Sequence, residues 1–400
     1  MVNNLEKRRY DIGIIGGGAS GLSLAAELGK LSVPPSICVL EARKKYTNDR
    51  TWCFFGEKNP PESVPVSNSW SEWLVSTNFD QVVHHANNWA YHFVKSSDFY
   101  QLRVSQLNLT PRCSLLFDTQ VKDVLATQTG FNVTTLSGNN VSASHVIDCR
   151  PPPDSILKQS KMFQIFIGAE IQLQDGQSTY TRPHLMERLT DTRFGLLFLY
   201  LIPVDNNRLL VELTAFSKQQ YSPEVLKPFL MKIINYRFHV IREAIIRTEQ
   251  GVLPMGLPTQ REARKNGIIK GGVAAGALRA STGYGFSRIQ KWAKDCALHY
   301  EKYGQIPDLH CSTKIERAMD SLFLDVLASG KVSASSLLFN MTKQTNGATF
   351  ARFMSDNATL LDLFKVINAM PKLLFLRALI AKLLMSRYWR EQDEAVARKQ

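Results

Sequence analysis

The stretch Tyr10-Asp11-Ile12-Gly13-Ile14-Ile15-Gly16-Gly17-Gly18-Ala19-Ser20-Gly21, continued to Leu31 and then Ser36-Ile37-Cys38-Val39-Leu40-Glu41, decides the fold. Residues 10–15 are apolar and rich in β-branched side chains, which predicts a buried strand. Ala19 to Leu31 carries alanine, leucine and glutamate at helical spacing, and Ser36 to Leu40 predicts a second strand. Gly16 permits a tight turn out of the first strand. Gly18 lets a pyrophosphate lie against the backbone, and Gly21 lets the helix pack close to the sheet. The helix N-terminus, with Ala19 and Ser20 in its first turn, offers free N–H groups and partial positive charge to phosphates. Glu41 lies twenty residues beyond Gly21, where a carboxylate accepts hydrogen bonds from ribose hydroxyls. Strand, turn, helix, strand and terminal acid in this order predict a dinucleotide site. A glycine-rich turn in a plain α/β protein is the bland alternative. The motif does not say which dinucleotide; its place near the N-terminus suits FAD.

The chain has 400 residues, is 44% hydrophobic and carries a net charge of +13. That length supports a large core, in one composite or two simple domains. The positive surface draws anions. Zinc-finger spacing and nucleic-acid signatures are missing from the sequence, so an anionic membrane surface ranks above nucleic acid as a partner. None of the six cysteines forms a CxxC pair, and reduced thiols in a cytosol-facing protein are expected. Residues 1–9 are polar, so no secretory signal is expected, and no run of about 18 uncharged apolar residues predicts a spanning helix.

Beyond Glu41, Asn48-Asp49-Arg50-Thr51-Trp52-Cys53-Phe54-Phe55 mixes turn formers with aromatics. Residues 60–100 are dense in rings, which suits a core, with an apolar pocket wall as the second reading. Residues 115–147 predict alternating strands, and Pro151 to Pro153 end that unit. Residues 156–254 predict a strand-rich insert: Gln164 to Ile171, Phe194 to Leu201 and Arg208 to Phe216 as strands, then a helix from Pro223 to Thr248. A second glycine-rich turn follows at Gly271-Gly272, and Ser281-Thr282-Gly283-Tyr284-Gly285-Phe286 leads into a helix, Ser287 to Tyr303. Helix N–H groups there face a pyrophosphate and flavin carbonyls. The expected division is 1–155 and 255–311 for an FAD-binding domain, 156–254 for a substrate-binding insert and 312–400 for a helical region. The last helix, Pro371 to Trp389, is apolar over much of its circumference and suits either a membrane interface or a core face.

The assembled sequence resembles the flavin-dependent lycopene β-cyclases of the bacterial carotenoid pathway. The resemblance rests on Asp11 to Gly21, Asp49 to Phe54, Ser97-Asp98-Phe99-Tyr100, Leu209 to Thr214, and Ala280 to Phe286. Ala358 to Asp362, Ala369-Met370-Pro371 and Phe375-Leu376 extend it through the tail. It implies an α/β fold with a Rossmann-type FAD domain like that of p-hydroxybenzoate hydroxylase. It implies an enzyme peripheral to the cytoplasmic face of a membrane, closing β-ionone rings on lycopene or a related linear carotene. The cofactor implied is FAD in its reduced form, with NAD(P)H as reductant and no net redox change. Contact with other carotenoid-pathway enzymes is also implied. A related FAD-dependent prenyl-chain reductase or hydroxylase is the alternative. Two departures stand out. Many family members place a second acid directly after the one matched by Glu212, where this chain has Leu213. The second glycine turn has no acid matching the Gly-Asp of wider flavoproteins.

Ring closure of a polyene end needs a proton delivered to an alkene carbon, a tertiary cation shielded from water, and loss of a ring proton. The acid must stay protonated near neutral pH, so apolar surroundings must raise its pKa. Glu212, between Val211 and Leu213 on an apolar strand, is the catalytic candidate; an outward-facing strand acid is the plain alternative. Trp52, Phe54 and Tyr284 are candidates for supporting the cation, or simply pack. Arg50 faces flavin or phosphate, or is a surface charge. The cofactor-binding expectation comprises Gly16, Gly18, Ala19, Ser20, Gly21, Glu41, Arg50, Thr51, Trp52, Gly271, Gly272, Ser281, Thr282, Gly283, Tyr284, Gly285 and Phe286, with no metal.

Overall fold

The computed structural model describes residues 9–174, 180–240, 242–257, 267–308, 311–382 and 384. The chain begins with β1 (Arg9–Ile15), α1 (Ala19–Leu28), β2 (Ile37–Leu40), β3 (Thr51–Glu57) and β4 (Asn68–Trp70). Next come β5 (Glu72–Ser76), β6 (Gln81–His85), β7 (Trp89–Lys95), α2 (Ser96–Leu109), β8 (Cys113–Leu116) and β9 (Val121–Thr127). They are followed by β10 (Gly130–Thr135), β11 (Asn140–Asp148), α3 (Asp154–Leu157), β12 (Met162–Gln172), β13 (His184–Thr192) and β14 (Gly195–Pro203). Then come β15 (Arg208–Ser217), α4 (Lys227–Phe238), β16 (Ile245–Met255), β17 (Ile269–Lys270) and α5 (Phe286–Tyr303). Four further helices are α6 (Lys314–Ser329), α7 (Ala334–Lys343), α8 (Gly347–Met354) and α9 (Leu360–Asn368), and 372–382 are helical.

The chain forms two units. The first is Met1–Ser69, Tyr91–Ser160 and Leu257–Thr313; the second is Trp70–Ala90, Lys161–Gly256 and Lys314–Gln400. In the first, the sheet runs β8-β2-β1-β11-β10-β9, with β17 beside β11. β1 pairs in parallel with β2 and β11, and β2 with β8. The β1 run reads apolar because the central strand of a parallel sheet is covered on both faces. Leu22, Leu24, Ala25 and Leu28 of α1 pack with Trp292, Ala293 and Cys296 of α5 and with Ile12 and Ile14.

The second unit holds a sheet of order β16-β12-β15-β14-β13-β5-β6. Its odd-numbered residues, among them Ile165, Ile167, Leu201, Val211 and Leu213, bury against Leu230, Ile234 and Phe238 of α4. Each such side chain contributes about 1.5–3 kcal/mol on burial. Residues 70–90, expected with the FAD domain, group with this second unit. The cause is strand pairing: Leu74 N–H donates to Pro183 O at 3.0 Å as β5 joins β13. The helical region after 312 groups with it too.

The helix expected from Pro223 to Thr248 ends at Phe238, because His239 takes a left-handed backbone with φ of 50°. Residues 245–255 then form β16, paired antiparallel to β12. Ile245, Ile246, Thr248, Gly251 and Pro254 disfavour a helix there. The expected first helix also stops three residues early, at Leu28. Of the expected last helix, residues 385–389 lie outside the described residues.

Candidate active site

One candidate site is the glycine cradle of the first unit. Gly16 has φ of 94°, a conformation that L side chains rarely adopt. A Cβ on Gly21 would sit 2.0 Å from Gly16 O, so only glycine lets α1 approach the turn. A Cβ on Gly18 would meet nothing within 4 Å. Gly18 is the N-cap of α1, so that open space lies where the free N–H groups of the helix begin. The residues fit the pyrophosphate of FAD: glycine where the fold is tight, and room where a phosphate approaches the helix end.

Glu41 is buried at the end of β2 and heavily engaged. Gly17 N–H donates to its Oε2 at 2.8 Å, and Arg43 donates from its backbone N–H and Nε to Oε1 at 2.7 and 3.0 Å. Arg43 Nη2 donates to Oε2 at 3.1 Å and to Gly17 O at 3.1 Å. Burial opposes ionisation, yet Arg43 and Gly17 hold the Glu41 carboxyl below its usual value. Arg43 itself lies over the rings of Tyr46 and Tyr100. Sequence reading missed Arg43; its signal is only its place two residues after the acid.

The second glycine turn packs against the first. A Cβ on Gly272 would lie 2.6 Å from Ser20 Oγ, and one on Gly271 would lie 2.5 Å from Cys149 Sγ. Residues 252 positions apart thus share one corner (272 − 20). The Ser281–Gly285 turn is closed by Gly283 N–H to Arg279 O at 2.8 Å and Arg279 N–H to Tyr284 O at 2.8 Å. Thr282 Oγ1 accepts from Tyr284 N–H at 3.4 Å, and Gly285 caps α5. Tyr284 reaches Tyr91, hydroxyl to hydroxyl, at 3.4 Å.

The aromatic candidates form a packed group. Phe286 stacks on Phe54 with ring centroids 5.3 Å apart and lies 5.5 Å from Trp52. Trp52 also meets Phe99 and Tyr100 edge-on. Phe54, Phe99 and Phe286 are buried in the core of this unit. Thr51 opens β3. Arg50 is exposed and pairs with Asp49 at 3.1 Å.

The second unit carries a separate candidate site, a carboxylate pair. The even-numbered residues of β12, β14 and β15 and the odd-numbered residues of β16 point away from α4. Across this face one row reads Tyr200, Glu212, Gly168, Glu249. The next reads Phe198, Thr214, Phe166, Gly251. Glu212 and Glu249 stand two strands apart, about 10 Å between backbones. Their side chains close the gap over Gly168, whose missing Cβ would lie 3.2 Å from Glu212 Cβ and 3.4 Å from Glu249 Cγ. The two carboxyl groups hydrogen-bond each other. Thr214 Oγ1 donates to Glu212 Oε1 at 2.8 Å.

Burial, and then the charge of Glu249, push the Glu212 carboxyl up to about 8. Glu249 is ion-paired with Arg247 at 2.6 Å, and Arg247 Nε donates to Glu170 at 2.8 Å. Arg208 closes the chain, 3.1 Å from Glu170. Sequence reading missed both: Arg247 falls in the helix expected from Pro223 to Thr248, and Glu249 stands one residue beyond its end. Two acids in or beside the ring-rich 60–100 stretch differ: Asp80 is exposed and paired with Lys343 at 2.5 Å, and Asp98 accepts from Ser67 at 3.1 Å. Among the described residues no group of His, Cys, Asp and Glu forms a metal site.

A mostly parallel sheet carrying two abutting glycine turns, in a chain with a second, mostly antiparallel sheet, has the p-hydroxybenzoate hydroxylase-like fold of FAD-dependent monooxygenases and reductases. A geranylgeranyl bacteriochlorophyll reductase-like structure from Thermoplasma acidophilum superposes with a TM-score of 0.65 at 12% identity, covering 92% of this chain and 98% of that one. PqsL of Pseudomonas aeruginosa, a probable FAD-dependent monooxygenase, gives 0.51 at 12% identity, covering 90% and 100%. The lycopene cyclase protein family model matches residues 11–380, and the chain belongs to that family. It is similar to lycopene beta-cyclase of Pantoea ananas, 26% identical over 292 residues, or 69% of this chain and 70% of that one. The protein is therefore an enzyme of a flavoprotein fold.

Proposed function

We propose that the protein is a lycopene β-cyclase, an intramolecular lyase or isomerase that closes β-ionone rings on lycopene by way of γ-carotene. The observation that carries this reading is Glu212 beside Glu249 on the sheet face away from α4, its carboxyl pushed up to about 8 by burial and by the charge of Glu249, in a chain of the lycopene cyclase family. The substrate is a hydrocarbon, so only protonation of a double bond starts the reaction. Glu212 O–H breaks as a C–H bond forms at the less substituted carbon of the terminal double bond. The next double bond attacks the resulting tertiary cation, and the ring closes. A ring proton then leaves to the Glu212 carboxylate, and the balance of protons and electrons is zero.

Thr214 orients the Glu212 carboxyl by donating to Oε1. Phe166 and Phe198 stand in the next row of the same face, and Phe198 lies 5.2 Å from Phe216 edge to face. Their ring faces favour a nearby cation and exclude water. FAD would be held at Gly16, Gly18, Ala19, Ser20, Gly21 and Glu41, with the Gly271–Gly272 and Ser281–Phe286 turns beside it. When bound and reduced by NAD(P)H, FAD supplies an electron-rich, anionic ring system that favours nearby positive charge.

The reading includes peripheral attachment to an anionic lipid surface. Leu360, Leu361, Phe364 and Ile367 of α9, and Leu373, Leu376, Ile380 and Leu384 beyond it, recur at helical spacing and are all exposed. Lys365, Lys372, Arg377 and Lys382 accompany them. Among the described residues no helix is long and apolar enough to cross a membrane.

The test is expression in cells that accumulate lycopene, followed by pigment chromatography. Cyclic carotene is expected. Unchanged lycopene, with folded flavin-loaded protein present, overturns the reading. A prenyl-chain reductase or hydroxylase would consume NAD(P)H in step with product; the cyclase does not.

A further inference from the structure

We propose that Glu249 is a positioning residue for Glu212: clamped by Arg247, it holds the single proton of the carboxyl pair on Glu212 and draws it back after each ring closure. The inference rests on Glu212 being the proton donor.

The geometry carries it. Two carboxylates that hydrogen-bond each other share one proton, because both cannot ionise at that separation. Arg247 settles which one keeps it. Its Nη1 lies 2.6 Å from Glu249 Oε2, and a guanidinium beside a carboxylate favours the ionised form. Glu249 is the more buried partner in that ion pair, at 4% side-chain exposure against 12% for Arg247. Arg247 is in turn fixed by Glu170, and Glu170 by Arg208, which also binds Asp205 at 2.6 Å. The proton therefore resides on Glu212, consistent with its raised pKa. Gly168 makes the meeting possible, since any side chain there would stand between the two.

Other charged and titratable groups lie around Glu212. On the same face are Tyr200 of β14, Glu170 of β12, Arg208 of β15, and Arg247 and Glu249 of β16. On the opposite face α4 brings Lys227, Lys232 and Arg237; Lys227 pairs with Glu224, and Arg237 with Glu187 at 2.5 Å. Among the described residues, the β16 pair combines direct contact with Glu212 or its partner and opposite signs.

The consequence for turnover follows from charge. With the proton on substrate, Glu212 and Glu249 are both anionic and adjacent. Their repulsion makes Glu212 a strong base, which takes the ring proton and restores the resting pair. One O–H bond breaks and one re-forms per ring, so the net charge of the enzyme is unchanged over the cycle.

The experiment is infrared titration of the protonated glutamic acid C=O band in full-length, flavin-loaded protein. The Glu212 band is identified by its loss in Glu212→Gln. In Glu249→Gln the midpoint is expected to fall by about 1 pH unit or more, because a like charge is removed. In Arg247→Gln it is expected to rise, because the opposing positive charge is removed. The alkaline limb of the lycopene conversion profile should follow both shifts, and Glu249→Asp should recover most of the parent midpoint. An unmoved midpoint in folded Glu249→Gln overturns the proposal, as does movement of both variants in one direction. If Glu249→Gln does not fold, Arg247→Gln decides: no upward shift overturns it. Opposite shifts in a parent that leaves lycopene unchanged uphold the carboxyl pair and overturn the cyclase reading instead.

Discussion

At the scale of single residues, Glu212 and the glycines of the cradle carry the strongest expectations. Glu212→Gln keeps the size of the side chain and removes its proton. Placed proton donors contribute about 10²–10⁴-fold, so lycopene conversion should drop by roughly 10⁴-fold. Flavin content should be unchanged, since the cradle lies in the other unit. The pH response has a definite sign. The folded pKa of Glu212 is raised from 4.5 to about 8, so the acid form, and with it activity, is full below that value and falls as pH rises through it. Its stability contribution is complete below the unfolded pKa and is likewise lost as pH rises through about 8. Thermal unfolding of parent and Glu212→Gln should therefore diverge between pH 5 and 9, with the parent losing more, and a constant gap would contradict this. The glycines separate ligand binding from folding. A Cβ at Gly18 meets nothing within 4 Å, so Gly18→Val should fold normally yet lose flavin absorbance. Gly21→Ala meets Gly16 O at 2.0 Å and should lower the melting temperature before any ligand is considered.

At the scale of elements, α9 shows how a short helix is held. Nine residues are marginal alone. Thr359 accepts from Asp362 N–H, and Asp362 accepts from Thr359 N–H at 3.0 Å, a reciprocal capping box. Asp362 also accepts from Arg352 at 2.7 Å twice and from Thr349 at 2.8 Å. Arg352 is first among the causes that hold the Asp362 carboxyl well below its usual range. Its contribution is present above the unfolded pKa and lost as pH falls below it. Asp362→Asn should destabilise the protein by about 3 kcal/mol at neutral pH, near the cost of breaking a buried pair. The loss should shrink when measured near pH 3. The same helix turns Leu360 outward at 87% exposure, and the next turns Leu373 outward at 72%.

At the scale of the whole molecule, charge and exposed apolar surface act on the same readout. The net charge of +13 favours an anionic surface, and the outward stripes supply apolar contact. Binding to vesicles containing anionic lipid should weaken as salt is raised. Leu361→Glu with Phe364→Glu should reduce it about 100-fold, the equivalent of losing two buried apolar side chains. Neutral vesicles should bind less than anionic ones at low salt. Binding unaffected by the double substitution would assign the contact to another surface.

The sequence by itself determined the features that are local along the chain. The first βαβ unit, the two glycine turns, the apolar strand around Glu212 and the family resemblance are all read from residues within a few turns of one another. Periodicity and turn chemistry act over that range, so they are legible without a structure. Tertiary structure decided the rest. Glu249 meets Glu212 only because β12 lies between β15 and β16 in a register that sets Gly168 level with both. Thirty-seven residues separate the two acids (249 − 212), and the intervening segment was read as helix because its charged and aliphatic residues also fit a helical period. Gly272 reaches Ser20, and Arg43 closes on Glu41, through packing that no spacing in the chain reports. A pattern of periods says which side of an element is apolar. Which elements lie side by side is set by register and packing between distant segments, and the second carboxylate of the site arose there.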